Sequence, residues 1–361
     1  MRADPVLKGV LWALALAGFF ILASASIGLT ARRDLPPYYF VLRQFLAGGL
    51  LGLGALAVTS GVNYRRWRSW AFWIFLFSFL LTLLVFAPKV GLEFGGAKRW
   101  IGFGPFNFQP SELLKFGYVL YLAALFSSER NEVKTFRGGL LPFILVSALI
   151  AAVFIAEPDV GSLGVSILAG FLLFIVAGAR FKHILWLAVL GAVLFAVLAF
   201  FEPYRLDRIR VFLDSAYEPR GAGYQLNQSL IAVGSGGIFG RGFGMSRQKF
   251  QYLPEPMGDS IFAVAAEEFG FVGSVLLVGI FVVFAWRGFL VASEARDFFG
   301  RLLGSGIVIL IVAQSLVNIA ALVGLLPLTG IPLLFVSQGG SALAITLAEV
   351  GVLLNISKNR A

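Results

Sequence analysis

The stretch that decides how this chain folds runs from Lys249 to Gly270 and reads KFQYLPEPMGDSIFAVAAEEFG. Its first part is polar and rich in proline, which is typical of a loop, whereas the residues after Asp259 are apolar and predict a helix. Asp259 therefore falls where a loop enters an apolar helix. Two interpretations follow: the carboxylate caps the helix N-terminus, or it is a general base at a membrane surface.

The composition around this stretch is that of an integral membrane protein. The chain is 59% hydrophobic and only 13% charged, and its mean hydropathy is +0.88. This is more apolar side chain than a soluble core of this size buries. A membrane span takes about 20 mainly apolar residues, and ten such stretches use most of the chain. We therefore expect an all-α integral membrane protein with ten transmembrane helices, forming a single polytopic domain over residues 1–361.

The ten predicted spans leave one long connection, between the seventh and eighth spans. It covers residues 202–258, and its glycines are expected to let an apolar loop fold back tightly. The predicted spans cover residues 6–29, 38–59, 70–87, 111–127, 138–156, 160–179, 184–201, 259–286, 302–323 and 332–356.

The basic residues of the short connections predict the orientation. The amino terminus, the carboxy terminus and the connections on their side hold 15 Lys and Arg residues, whereas the short connections on the other side hold 5. By the positive-inside rule both termini are cytoplasmic, and the long connection and Asp259 face the exterior. Topology thus accounts for the net charge of +10, and we expect no nucleic-acid partner.

The chain has no cysteine and a single histidine, His183. Disulfides and thiolate metal sites are therefore excluded, and a histidine-based metal centre is not expected. We predict no protein metal site from the residues alone.

Polar residues begin the predicted fourth span. Arg99 and Gln109 precede it, and Glu112 and Lys115 are three positions apart, so the latter two share a helix face. Ionisable residues within a span usually face a partner or a cavity. A structural ion pair and a role in a substrate cavity are both open interpretations.

Further polar residues lie in other connections on the same side. Asp159 follows Glu157 and Pro158 in a tight turn and is placed to cap the sixth span, while Arg208 lies in the long connection. Several cationic groups near one carboxylate suit an anionic, lipid-linked ligand, because phosphate oxygens attract multiple cationic donors.

The residues resemble the SEDS family (shape, elongation, division and sporulation), which includes RodA and FtsW. The resemblance covers essentially the whole chain, and the segment GMSRQKFQYLPE at 244–255 is similar to the FtsW branch in particular. The motifs that carry it are Arg43-Gln44, GAKRWIGFGPFNFQPSELLKF at 96–116, EPDVGSLGV at 157–165, GYQLNQSLIAVGSGG at 223–237, LPEPMGDSIFAVAAEEFGFVG at 253–273 and GLLPLTGIPLLFVSQGGSA at 324–342.

The resemblance implies a peptidoglycan glycosyltransferase that polymerises lipid II on the outer face of the cytoplasmic membrane, for cell division or cell-shape elongation. It implies that Asp259 is the essential aspartate, and it implies a divalent cation, Mg²⁺ or Mn²⁺. The expected partners are lipid II, a class B penicillin-binding protein transpeptidase and other membrane proteins of the divisome or elongasome. The expected substrate-binding residues are Arg43, Arg99, Gln109, Glu112, Lys115, Asp159, Arg208 and Ser337.

The chain departs from the family pattern beside the aspartate. The family commonly has His-Thr before it and Phe after it, whereas this chain has Met257, Gly258 and Ser260. Gln338 likewise stands where an aromatic residue is usual. The local hydrogen bonding of Asp259 must therefore differ. The alternatives to a polymerase are a lipid-linked precursor flippase, which needs no base, and a non-catalytic divisome or elongasome scaffold.

Overall fold

The computed structural model describes residues 3–94, 97–103, 106–128, 132–200, 203–214 and 217–360. The predicted boundary between the seventh span and the long connection, at 201–202, lies outside these described residues. Within them the chain is mostly helical. The helices are α1 Pro5–Arg32, α2 Tyr39–Gly61, α3 Tyr64–Leu83, α4 Pro110–Ser128, α5 Phe136–Ala156, α6 Val160–Val176, α7 Phe181–Phe200, α8 Pro203–Leu213, α9 Tyr224–Ser235, α10 Ile261–Ser293, α11 Phe298–Leu322 and α12 Gly340–Lys358.

The length and hydropathy of each helix indicate whether it could cross a membrane. Seven of them, α1, α2, α3, α5, α10, α11 and α12, are long and apolar enough to do so, and α6 and α7 contain shorter apolar helices. Helix α11 lies at the centre of the bundle, where it packs against α4, α6 and α10. Of the 18 residues in its apolar stretch, 72% are buried inside the protein. Both chain ends meet at one end of the bundle, because Asp4 accepts hydrogen bonds from Arg287 and Arg360.

A small β-sheet corrects the all-α prediction. Strands β1 (Gly91–Phe94), β2 (Ala97–Phe103) and β3 (Phe106–Phe108) pair antiparallel in the order β1-β2-β3. They lie in the predicted connection before α4. Short strands that pair with each other satisfy the backbone groups of a connection that has no helix of its own.

The long connection is not a plain loop, because it contains the helices α8 and α9. Helix α9 packs along the first part of α10, and the chain then turns back through a glycine-rich segment. A Cβ atom at Gly240 would lie 2.1 Å from the carbonyl oxygen of Glu268, and Gly240 has a φ of +80°. The chain therefore folds back tightly against α10 here, and glycine is required at this position, whereas the predicted fold-back against the outer leaflet stays a prediction.

Helix α10 begins at Ile261, two residues after the predicted start, and it is interrupted at Gly270. This residue has φ 67° and ψ −162°, which is not helical. A short helix therefore follows Asp259, and a long apolar helix follows Gly270.

The last predicted span also begins later than expected. Residues 332–339 are non-helical, and α12 begins only at Gly340. This segment packs deeply against α1: a Cβ atom at Gly18 would lie 2.0 Å from the carbonyl oxygen of Phe335. Hydropathy predicted a span here because the segment is apolar, but its backbone follows the cleft between helices.

A buried ion pair fixes the loop that precedes Asp259. Lys249 Nζ lies 2.6 Å from Glu268 Oε1 of α10 and 2.9 Å from Ser24 Oγ of α1. Glu267 accepts hydrogen bonds from Ser246 Oγ and from the backbone N–H of Arg247. The consecutive glutamates of α10 therefore hold this loop between α1 and α10.

We expect Lys249→Met to destabilise the fold strongly. It leaves the Glu268 carboxylate buried without its cation, and removing one partner of a buried pair costs about 3 to 5 kcal/mol. Thermal unfolding of the purified protein in detergent measures the loss. Arg247→Met is the matched control, because Arg247 is exposed two residues earlier in the same loop. Equal melting temperatures for the two variants would contradict a structural role for the pair.

Candidate active site

Asp259 lies in the turn immediately before α10, and its side chain does not cap that helix. The N-cap residue of α10 is Ser260, and no side chain makes a capping hydrogen bond there. The capping interpretation of Asp259 is therefore wrong. Its carboxylate is half-buried and is directed to other partners.

The two oxygens of the Asp259 carboxylate have different surroundings. Gln225 of α9 donates from Nε2 to Oδ2 over 3.2 Å, and the same nitrogen lies 3.1 Å from Ser260 Oγ. Oδ1 is buried and has no hydrogen-bond partner among the described residues. One oxygen is thus held by the protein, and the other lacks a donor.

Side chains from the surrounding segments hold the backbone on either side of Asp259. Asn318 of α11 donates from Nδ2 to the carbonyl of Asp259 over 2.7 Å and to that of Ile331 over 2.8 Å. Ser337 Oγ donates to the carbonyl of Gly258 over 2.6 Å. The backbone N–H of Gln338 donates to the carbonyl of Met257 over 2.8 Å. The turn is therefore fixed against α11 and against segment 332–339.

Arg208 of α8 reaches the same place. A Cβ atom at Gly330 would lie 3.7 Å from Asp259 Oδ2 and 3.9 Å from Arg208 Nη2, so both charged side chains flank this glycine. Arg208 also donates to the carbonyl of Leu328. The predicted proximity of a cationic group to Asp259 is found.

Burial raises the pKa of Asp259 above its ordinary value, and the nearby charge of Glu255 raises it further. The hydrogen bond from Gln225 and the charge of Arg208 act in the opposite direction but do not cancel the effect of burial. A carboxylate with a raised pKa binds a proton more tightly and is a stronger base.

Glu112 and Lys115 form the predicted ion pair on α4. Lys115 Nζ lies 2.8 Å from Glu112 Oε1 and 2.6 Å from Gln314 Oε1 of α11, and both charged side chains are at most 4% exposed. Gln314 in turn donates to the carbonyl of Pro332 over 3.3 Å. The pair is thereby linked to the segment that holds the Asp259 turn, while its role in substrate binding stays a prediction.

Arg99 and Asp159 meet at the turn before α6. Arg99 donates from Nε to the carbonyl of Glu157 over 3.0 Å and also to that of Pro158. Asp159 accepts from the backbone N–H of Ser162 over 3.1 Å and is the N-cap of α6. The predicted capping role of Asp159 is confirmed, and Arg99 serves to hold the turn.

Arg43 and Gln109 lie near the start of α12. Arg43 precedes Gln44, which accepts from the backbone N–H of Gly339 over 3.0 Å. The backbone N–H of Gln109 donates to Ser341 Oγ over 3.3 Å. Gln44, next to Arg43, therefore contacts the end of segment 332–339, and Gln109 contacts the first turn of α12.

Reasoning from the sequence missed three polar side chains that shape the site. Gln225 lies within a motif that was quoted for the family resemblance, with no role assigned to this side chain. Gln314 and Asn318 are four residues apart in an apolar helix and so share one face, which was a usable signal. Glu349 of α12 is buried and interacts electrostatically with both Glu112 and Lys115.

No preformed metal cage is found in the part of the chain that the structure describes. No group of three or more His, Cys, Asp or Glu side chains is placed there to hold an ion. The donor set of these residues does not fit a protein-enclosed site for the divalent cation that the resemblance implies.

Comparison with known proteins places the chain in a family. The sequence model described as a cell cycle protein, of the FtsW, RodA and SpoVE group, matches residues 5–361. Stage V sporulation protein E of Bacillus subtilis (strain 168) is 39% identical over 94% of this chain and 93% of its own length. A probable peptidoglycan glycosyltransferase FtsW of Geobacter sp. (strain M18) is 39% identical over 94% and 92%. The chain belongs to the FtsW/RodA/SpoVE family.

Solved structures share the fold. A chain from a peptidoglycan synthase complex that coordinates polymerization and crosslinking matches with a TM-score of 0.82 and 27% identity, over 100% of this chain and 99% of that one. The rod shape determining protein RodA of Thermus thermophilus matches with a TM-score of 0.73 and 29% identity, over 100% and 98%. The higher identity to proteins named FtsW and SpoVE agrees with the predicted closeness to the FtsW branch.

Glu157 provides a pH-dependent test of this region. Burial, and next the charge of Asp159, raise the pKa of Glu157 to about 8, and neither carboxylate oxygen has a described partner. The folded protein therefore keeps this proton up to about pH 8, whereas the unfolded chain loses it at the lower, ordinary glutamate pKa. The stability that the protonated form contributes is thus present at low pH and is lost as pH rises.

We expect Glu157→Gln to be folded and to be more stable than the unmodified protein by a margin that grows with pH. Between pH 5 and pH 8 the gain should increase by about 1 kcal/mol or more, measured by thermal unfolding in detergent. Glu93→Gln, at an exposed position of β1, is the control and should show no such trend. A gain that is the same at every pH would refute a protonated Glu157.

Proposed function

We propose that this chain polymerises lipid II into glycan strands on the outer face of the cytoplasmic membrane, as a peptidoglycan glycosyltransferase for cell division or cell-shape elongation. The observation that carries the proposal is the half-buried Asp259 carboxylate, which has one fixed oxygen and one oxygen without a donor. Relatives at 39% identity with the name peptidoglycan glycosyltransferase support it.

The reaction requires a base at Asp259. The Asp259 carboxylate would take the proton from the 4-hydroxyl of the acceptor sugar, and the oxygen of that hydroxyl would attack the anomeric carbon of the growing chain. Undecaprenyl pyrophosphate is the leaving group. Burial favours this role because it makes the carboxylate more basic, and positioned proton transfer contributes about 10² to 10⁴ in rate.

The developing negative charge on pyrophosphate requires cationic groups. Arg208 lies beside the Asp259 carboxylate, and we assign it this role because guanidinium groups bind phosphate oxygens in a bidentate manner. The divalent cation stays a prediction. With no enclosed protein site among the described residues, its ligands would be mainly phosphate oxygens of the substrate.

The proposed membrane arrangement has ten spans and cytoplasmic termini. It adds α4, α6 and α7 to the seven helices that meet the length and composition of a span. Asp4 and Arg360, which are near the two termini, lie at the end of the bundle opposite Asp259, since Asp4 contacts the distal half of α10. Combined with the bias of basic residues, this supports an extracytoplasmic active site.

A class B penicillin-binding protein transpeptidase is the proposed partner, together with other divisome or elongasome membrane proteins. The structural likeness to a chain of a complex that couples polymerization with crosslinking supports this assignment. Co-purification from native membranes followed by mass spectrometry tests it, and the absence of any such transpeptidase would refute it.

We expect Asp259→Asn to abolish glycan polymerisation from purified lipid II while the protein stays folded. Asn has nearly the same shape but accepts no proton, and Asp259 makes no capping bond whose loss would weaken α10. Asp34→Asn is the matched control, at an exposed loop position with a φ of 54° that Asn tolerates. Near-normal polymerisation by Asp259→Asn would refute the general base and would favour a flippase or a scaffold, which need no proton transfer.

Single cysteines test the orientation, because the chain has none of its own. Cys at Gln251, exposed in the loop before Asp259, should react with an impermeant thiol reagent on intact cells. Cys at Arg66, exposed at the start of α3, should react only after permeabilisation. The reverse pattern would place Asp259 on the cytoplasmic side.

A further inference from the structure

We propose that Gln225 is a positioning residue for Asp259. It donates to Oδ2 and so fixes the orientation of the carboxylate, and the hydroxyl of Ser260 is its second anchor. This inference rests on the proposed function, in which Asp259 is the base. It adds the group that holds the base in its orientation.

The amide nitrogen of Gln225 donates to two acceptors at once. It carries two N–H donors, and its Nε2 lies 3.2 Å from Asp259 Oδ2 and 3.1 Å from Ser260 Oγ. The amide is therefore fixed between two consecutive residues of the turn before α10. A rotation that turned the Asp259 carboxylate out of its present plane would break this hydrogen bond.

Gln225 is itself held in place by its helix. It is the second residue of α9, which packs along α10, and the neighbouring Leu226 is buried. Its carbonyl accepts from Ser229 Oγ over 2.8 Å. The amide thus reaches Asp259 from a packed helix, which is the support that a precise positioning contact requires.

The unpartnered oxygen indicates that the turn is not arranged for stability alone. A buried carboxylate oxygen without a donor is unfavourable, so the fold tolerates it only where something compensates. Oδ1 is buried and has no donor among the described residues, whereas Gln225 donates to Oδ2. The hydrogen bond from Gln225 is therefore the side-chain contact that fixes the orientation of this carboxylate.

The choice of an amide also fits the electrostatics. The leading charge effects on Asp259 come from Glu255 of its own loop and from Arg208 of α8. The segment 327–337 and helix α11 contribute Gly330 and Asn318, which are neutral. A second cation in place of Gln225 would stabilise the ionised carboxylate and weaken the base. A neutral donor orients the group with a smaller effect.

The hydrogen bond between Gln225 and Ser260 departs from the family pattern. It is one of the positions that depart from the family pattern, where the residue after the aspartate is commonly Phe, which offers no acceptor for the second N–H. The altered hydrogen bonding expected from the sequence therefore takes the form of this bridge between Gln225, Asp259 and Ser260.

The test measures initial rates of glycan polymerisation from purified lipid II between pH 5 and pH 9. Gln225→Met keeps the side-chain volume but removes the donor. We expect its maximal rate to fall about 10- to 100-fold, with a change of less than about twofold in the KM for lipid II. The acid limb of its pH profile should move to higher pH, since a donor that lowers the pKa of Asp259 is lost.

Three further variants complete the design. Asn227→Leu is the matched control, because it lies two positions further along α9 and so faces away from Gln225; it should keep the rate and the pH profile. Ser260→Ala should lower the maximal rate less than Gln225→Met does and should also move the acid limb to higher pH. The double variant should have the same rate as Gln225→Met alone. Gln225→Glu should move the acid limb up even more, because a like charge raises the pKa of Asp259.

The outcomes separate this inference from the proposed function. If Asp259→Asn is inactive but Gln225→Met keeps its full rate, or loses rate without a shift of the acid limb, Gln225 is only structural and the inference fails alone. If Asp259→Asn keeps its activity, the proposed function fails and the inference fails with it. Should Gln225→Met not fold, an unshifted acid limb in Gln225→Glu would overturn the inference.

Discussion

The whole site depends on the hydrogen bonds that join two non-helical segments. The turn at 257–260 and the segment 327–339 both leave the helical backbone pattern, so their carbonyl and N–H groups need other partners. Asn318 supplies two donors and Ser337 supplies one. Because these donors come from α11 and from the last segment, the carboxylate of Asp259 is placed by the central helix of the bundle rather than by its own loop.

Burial and the nearby helix N-terminus have opposite effects on the pKa of Asp259: burial raises it and the helix N-terminus lowers it. Proximity to the N-terminus of α10 favours the ionised carboxylate, but Asp259 stands before the N-cap and accepts no capping hydrogen bond from the helix. Burial is the larger effect and raises the pKa. The turn thus keeps the carboxylate close to a helix start without making it the cap, and a cap would be a weaker base.

The sequence predicted the parts of this structure that depend on local chemistry. Asp159 as a cap and the Glu112–Lys115 ion pair follow from spacing on a helix, and the apolar helices follow from hydropathy. The small sheet was missed because its strands are short and interrupted by glycines. Segment 332–339 was predicted as helix because hydropathy reports the burial of side chains and not the path of the backbone. Asn318 was overlooked for a related reason: its donors serve carbonyls that are distant in sequence.

The two ends of α10 show why an energetically unfavourable carboxylate persists. At one end Arg287 pairs with Asp4, which joins α10 to both termini; toward the other end Glu268 pairs with Lys249 and Ser24. Both pairs involve buried acidic groups, and a buried pair is destabilising to break. Helix α10 is therefore fixed on both sides of its break at Gly270. The short helix that follows Asp259 is therefore held in place, and Oδ1 stays buried without a donor among the described residues.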